Sequence, residues 1–259
     1  MGCDIHLFVE TREPGGKWVL ASVLRECSFC SGTGVTPEGY REPGKPCWFC
    51  RHIPGKVSGF GDRSYDTFAI LANVRNGHGF AGIETGGGFI SIDDPRGLPG
   101  DMSAELKSLC DDYDDDRWEE LDAKYGAGSL GDHSFSWLTL AELLAYNWRQ
   151  VATKTGVVSL EQFRKWDASG GGWPDGWCGS ISGPGITMVS NAEMRGLIAG
   201  GRKEPEEPYN PRAKRHYTSV RWTDTYARCA RSFHDKFIPA LVALGKPAGD
   251  VRIVFGFDS

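Results

Sequence analysis

Four cysteines near the start of the chain constrain its fold more than any other residues. Cys27-Ser-Phe-Cys30 and Cys47-Trp-Phe-Cys50 are two Cys-x-x-Cys pairs separated by sixteen residues. That spacing suits a tetrahedral zinc site in which each pair forms a knuckle offering two thiolates. The span between them is rich in Gly and Pro (Gly32, Gly34, Pro37, Gly39, Pro43, Gly44, Pro46), so it can fold back and close the site. With all four positions filled by thiolate the ion keeps no open position. The expected site is therefore structural, one zinc per chain on Cys27, Cys30, Cys47 and Cys50. His52 is an alternative ligand, but four available cysteines leave it no place in the shell.

The remainder has the balance of an ordinary globular protein: 259 residues, 40% hydrophobic and 24% charged. This is enough for one large core, or one core with a small appended module. No apolar run approaches the roughly 20 residues that span a bilayer. Met1-Gly2-Cys3-Asp4-Ile5-His6 lacks the basic and apolar regions of a signal peptide, and His6 stands where a myristoylation motif needs Ser or Thr. A cytoplasmic protein with reduced, metal-binding cysteines is expected, with Cys3, Cys110, Cys178 and Cys229 as small core residues. The net charge of −5 argues against a broad nucleic-acid surface. It is unevenly spread: residues 111–122 carry eight acids and one Arg, and Arg212 to His216 form a short basic cluster.

Ile5, Leu7 and Val9 alternate with Asp4, His6, Phe8 and Glu10 as in a strand, and Lys17 to Val23 reads as its hairpin partner. The zinc module (26–52) then interrupts as an insertion into a single domain spanning 1–259. Ser64 to Arg75 reads as a helix, and 76–100 as loop with a short strand at Phe89 to Ile92. A further helix starts near Asp101 or Ser103, extended by the acidic run. Thr139-Leu-Ala-Glu142 and Ser159-Leu-Glu-Gln162 are capping boxes, opening helices to about Trp148 and Trp166. Gly-rich residues 168–186 are expected to be irregular, and Asn191 to Ile198 a short helix. His216 to Trp222 reads as a strand, Thr223 to Leu244 as a helix kinked at Pro239, and Val251 to Phe257 as a central strand beside the first. The expected fold is α+β: a mixed or antiparallel sheet containing both terminal strands, packed with helices, with the zinc knuckle inserted.

Beyond the cysteines the chemical signals are weaker. Asp4 and His6 share one face of the first strand. They read either as a ligand or acid–base pair, or as a structural hydrogen-bonded pair. Asp132-His133-Ser134-Phe135-Ser136-Trp137, placed in a loop before a capped helix, offers donors to an anion or ordinary capping. Arg75 and Asn76 can supply a cation and a donor, or simply end their helix. Asp93 and Asp94 suit a metal loop or a turn equally. The acidic run reads as a solvated helix face. P-loop, Gly-x-Ser-x-Gly and His-Glu-x-x-His patterns are absent from the sequence.

Two resemblances add to this. Cys27 to Gly34, read as Cys-x-x-Cys-x-Gly-x-Gly, resembles the zinc repeats of DnaJ-type chaperones; the second pair departs from that pattern, so only a knuckle is implied. More broadly, five stretches are similar to a family of uncharacterised proteins carried by tailed bacteriophages. They are Gly2 to His6; Tyr65-Asp66-x-Phe68-Ala69-x-Leu71 with Val74-Arg75-Asn76; Pro95 to Pro99; His133-Ser134-x-Ser136-Trp137-Leu138; and Val251-Arg252-Ile253-Val254-Phe255-x-Phe257-Asp258. That resemblance implies a phage origin and action in the host cytoplasm, without a mechanism.

The resulting expectation is a phage accessory protein that binds a small anionic, nucleotide-like ligand at Asp4, His6, Arg75, Asn76 and His133, countering host defence. One alternative is a hydrolase of phosphate esters or glycosidic bonds, with a second metal on Asp4, His6, Asp132 and His133. Another is an interaction module for protein or nucleic acid, using the knuckle and the 212–216 cluster. No membrane partner is expected, and the sequence leaves oligomeric state open.

Overall fold

The computed structural model describes residues 2–258 apart from 51–52, 62, 112–114, 126, 128 and 205–213. His52, Arg212, Ala213 and part of the acidic run therefore lie outside the described residues. The strands are β1 (Ile5–Arg12), β2 (Trp18–Ala21), β3 (Leu24–Glu26), β4 (Lys56–Ser58), β5 (His133–Thr139), β6 (Val151–Ser159), β7 (Ile186–Met188), β8 (Arg215–Thr225) and β9 (Val251–Phe257). The α-helices are α1 (Tyr65–Ala72), α2 (Ala104–Asp111), α3 (Asp115–Tyr125), α4 (Leu140–Ala145), α5 (Leu160–Ala168), α6 (Asn191–Ala199), α7 (Tyr226–Cys229) and α8 (Ile238–Val242). The chain groups into two compact units, one of residues 1–74, 91–147 and 230–259, the other of 75–90 and 148–229.

The first unit is built on an antiparallel sheet of order β2-β1-β9-β5, so both terminal strands meet at its centre and the fold is α+β. Val251-Arg-Ile-Val-Phe-Gly-Phe257 is buried at every position, because both faces of the sheet are covered. Pleating puts Ile5, Leu7, Phe255 and Phe257 on one face, where Phe257 meets Phe68 of α1 with ring centroids 5.1 Å apart. Phe8 and Val254 point the other way, into a cluster with Leu106, Leu121 and Tyr125 of α2 and α3.

One buried cross-strand pair on that second face is charged. Arg252, paired across the ladder with Glu10, donates to it through Nε at 2.8 Å, and both side chains are almost fully buried. The guanidinium lies over the Trp18 ring at 4.0 Å and reaches Asp101 at 2.7 Å, while Glu10 also accepts from the Ser103 amide at 2.7 Å. The network thus ties the sheet to the loop that opens α2.

In the second unit β6 and β8 are antiparallel, and β7 joins β8 in parallel. Packed on them, α5 and α6 contribute Phe163 and Met194 to a core with Val158, Val220 and Trp222. Both capping boxes are formed, at Thr139–Glu142 and Ser159–Gln162, though α4 stops at Ala145. Residues 169–185 are irregular, as their glycines require.

Several sequence expectations change. Phe89 to Ile92 is not a strand: the Asn76 side chain takes both the Phe89 N–H (2.6 Å) and its C=O (2.7 Å). A ladder there would need the same groups. His133 lies in β5, not in a loop. The Thr223–Leu244 helix does not form as one piece. Thr223 and Thr225 extend β8, where they pair with Thr153 and Val151. Beyond α7, a π turn over Phe233–Phe237 closes Ile238 N–H onto Phe233 C=O, and Pro239 then sits at the first turn of α8. Proline has no N–H to give and clashes with the carbonyl four residues back, so the wider turn accommodates it.

Arg252→Met strands Glu10 as a buried charge and should cost about 3–5 kcal/mol. Glu10→Leu/Arg252→Met should cost markedly less than either single change, read from urea unfolding midpoints. The hydrogen bond from Arg252, against a smaller burial effect and aided by Trp18, holds the Asp101 carboxyl below its ordinary range. Its stabilising effect is present above the unfolded value of about 3.9 and is lost as pH falls through the lower folded value. Asp101→Asn should therefore lower the midpoint at neutral pH and flatten its fall on acidification.

Candidate metal centre and ligand cleft

The β3–β4 ribbon frames the cysteine module, with Cys27 N–H bonded to Gly55 C=O and Cys47 N–H to Gly34 C=O, both at 2.9 Å. All four sulfurs are buried and lie within 4.8 Å of one another. The Cys27–Cys47 and Cys30–Cys50 Sγ separations are 4.0 and 3.7 Å. A tetrahedron with metal–sulfur bonds of about 2.3 Å has edges of about 3.8 Å, so the four sulfurs already stand at the corners of one coordination shell. The arrangement is compatible with one structural metal site.

The backbone completes it. Gly34 N–H donates to Cys30 Sγ at 3.3 Å and Gly55 N–H to Cys50 Sγ at 3.2 Å. At Gly55 (φ +81°) a Cβ would stand 2.2 Å from the Gly32 carbonyl, so only glycine fits. Burial raises the Cys30 thiol, but the Gly34 amide and neighbouring sulfurs outweigh it and bring it down to about 7. Burial pushes Cys50 up to about 12 despite its Gly55 bond. Four thiolates this close cannot all ionise alone, and a divalent cation removes that conflict.

The sheet end holds three of the five expected ligand residues. Asp258, overlooked as a partner in the sequence, organises them: its carboxylate accepts from Asp4 N–H at 2.7 Å and pairs with His6 Nε2 at 3.0 Å. Burial raises the Asp258 carboxyl, but His6, the Asp4 amide and Arg63 together hold it below the usual range. Arg63 forks onto both carboxylate oxygens of Asp4, the Nη2–Oδ2 distance being 2.7 Å. His133 pairs with Phe257 in the ladder and stacks on its ring, centroids 6.0 Å apart. Pleating therefore puts His133 on the Phe257 face and His6, paired with Gly256, on the opposite one. Its Nδ1 contacts Ser134 Oγ at 2.9 Å.

Arg75 and Asn76 belong to the second unit, where Asn76 is committed to Phe89. Helix α1 ends at Asn73, which is left-handed and caps Ala69. Asp93 and Asp94 serve the turn: Asp93 binds Arg96 at 2.5 Å and Asp94 binds Asn73 at 3.0 Å. Arg96 continues to Glu142 of the α4 capping box at 2.7 Å. Among the described residues, the four cysteines are the only three-or-more His, Cys, Asp or Glu group with ligand atoms in metal-binding range, so Asp4, His6, Asp132 and His133 do not form a second one.

A different site lies in the second unit. A cleft of about 850 Å³ opens along the start of α5 and the start of β8. Arg164, Lys203 and Arg215 line it against two acids, Glu161 and Glu204, and Trp177 and Tyr217 add aromatic surface. Glu204 is turned onto His216, accepting from its backbone N–H and contacting Nδ1, each at 2.8 Å. Trp177 is fixed by an edge contact with Trp222 at 5.2 Å, over Gly156, where any Cβ would meet the indole at 2.5 Å. The sequence flagged Arg215 only as part of a basic cluster.

Compared with protein-family models, curated proteins and solved structures, the chain matches none. No helix among the described residues is long and apolar enough to cross a membrane.

Elemental analysis of the purified chain should give one metal per molecule. Cys27→Ser/Cys30→Ser should abolish it and lower the stability of residues 24–58 to proteolysis, leaving the two helix-covered sheets folded by circular dichroism.

Proposed function

We propose that the metal is zinc and that the protein binds a small anionic, nucleotide-like ligand in the cleft of the second unit. The cleft lining supports this reading: Arg164, Lys203 and Arg215 outnumber Glu161, which pairs with Arg164 at 2.5 Å, and Glu204, which is held by His216, and two aromatic side chains lie beside them. Arg pairs with phosphate oxygens through its fork, and Lys adds a point charge. Trp177 and Tyr217 offer flat faces to a base. The cleft volume is in the range of small-ligand sites. An all-thiolate shell with buried sulfurs favours zinc and gives it a folding role. The phage resemblance supplies the setting for this proposal, capture of a nucleotide signal of host defence in the cytoplasm.

The site differs from the one expected at Asp4, His6, Arg75, Asn76 and His133, and the two separate by mutation. The zinc-loaded chain should be titrated calorimetrically with cyclic nucleotides and ADP-ribose. Arg164→Glu and Lys203→Glu should each weaken the tightest of these at least tenfold, about 1.4 kcal/mol, while His6→Ala and His133→Ala leave it unchanged. The reverse pattern puts the ligand at the sheet end, and no binding of any probe removes the proposal. A probe recovered unchanged marks a binding protein; one consumed marks an enzyme.

A further inference from the structure

We propose that the aromatic face of the metal module is the contact through which two copies of this chain associate. The module is too small to bury its own aromatic residues. Tyr40, Trp48 and Phe49 are 57%, 63% and 50% exposed, and Val35 beside the loop is 43% exposed. They form one group: Phe29 meets Tyr40 and Phe49 at 4.7 Å each, and Trp48 stacks on Phe49 at 3.7 Å. The two residues inside the second Cys-x-x-Cys pair are Trp48 and Phe49 themselves, in a short 3-10 turn that ends on Cys50, so a metal on that pair would hold their backbone. A contiguous exposed aromatic patch of this kind marks an interaction surface.

The charges around it select the partner. The loop carrying Tyr40 holds Glu38, Arg41, Glu42 and Lys45, all exposed, with signs alternating along the chain and summing to zero. A nucleic acid would meet as many repulsive as attractive charges there, whereas stacking platforms for single strands sit in positive grooves. A two-fold contact sets a patch against itself, so its rim must be self-complementary. Two acids and two bases on one loop meet that condition, and a rim of one sign would forbid it.

The zinc-loaded full chain should sediment with twice the monomer mass at high concentration and dissociate on dilution. Trp48→Ser/Phe49→Ser, on exposed side chains, should keep one metal per chain and weaken association at least tenfold. Glu38→Lys/Glu42→Lys and Arg41→Glu/Lys45→Glu should each associate poorly alone and recover when mixed, because their rims then complement. A chain monomeric at all concentrations, or a dimer indifferent to the aromatic double variant, overturns the proposal. So does fluorescence quenching by a single-stranded oligonucleotide that is lost in Trp48→Ser, which would assign the face to nucleic acid.

Discussion

A carboxylate and a guanidinium shut away from water, Glu10 and Arg252, bridge two strands from positions 242 residues apart in the chain. Neither charge tolerates burial without the other, so the pair permits one register of β1 against β9. A slip by one residue would send Arg252 into the apolar face that carries Phe255 and Phe257, and strand Glu10. The aromatic packing of that face and the contacts of α2 and α3 on the other both presuppose this register. Trp18 and Asp101 finish the enclosure from β2 and from the turn before α2.

The metal module obeys a different physics. Its residues bury little apolar side chain beyond the four cysteines, Phe29 and Val57. A metal bound by the four thiolates would replace the core that so short a segment cannot build. The consequence is an outer surface of unusual chemistry, since aromatic residues that a larger domain would bury remain in water. The four-cysteine cluster and the exposed patch are thus two effects of one cause, the small size of the insertion.

Two further polar groupings belong to neither. At the sheet end, Asp4, His6 and Asp258 satisfy one another and Arg63, which is how a strand terminus holds polar groups beside a buried core. The cleft of the second unit has a different composition: cations and aromatic rings brought together from α5, the Gly-rich segment after it, the loop after α6 and β8.

What the sequence determined by itself was local. The thiolate spacing, the capping boxes at Thr139 and Ser159, the β1–β2 hairpin and the apolar β9 are set by residues within a turn or a strand of each other, and all appear as read. β5 was missed because Ser134 has a left-handed φ of +52° and the ladder bulges between His133 and Ser136, which breaks the alternation a strand shows. The faces of His6 and His133 were not legible either: pleating, invisible until pairing is known, puts them on opposite sides of the sheet. Which partner satisfies Arg252, why Asn76 holds Phe89 out of a ladder, and that Arg164, Lys203 and Arg215 line one cleft were decided only by tertiary structure. Each depends on side chains meeting partners in other elements, and such pairings leave no period or spacing in the sequence to read.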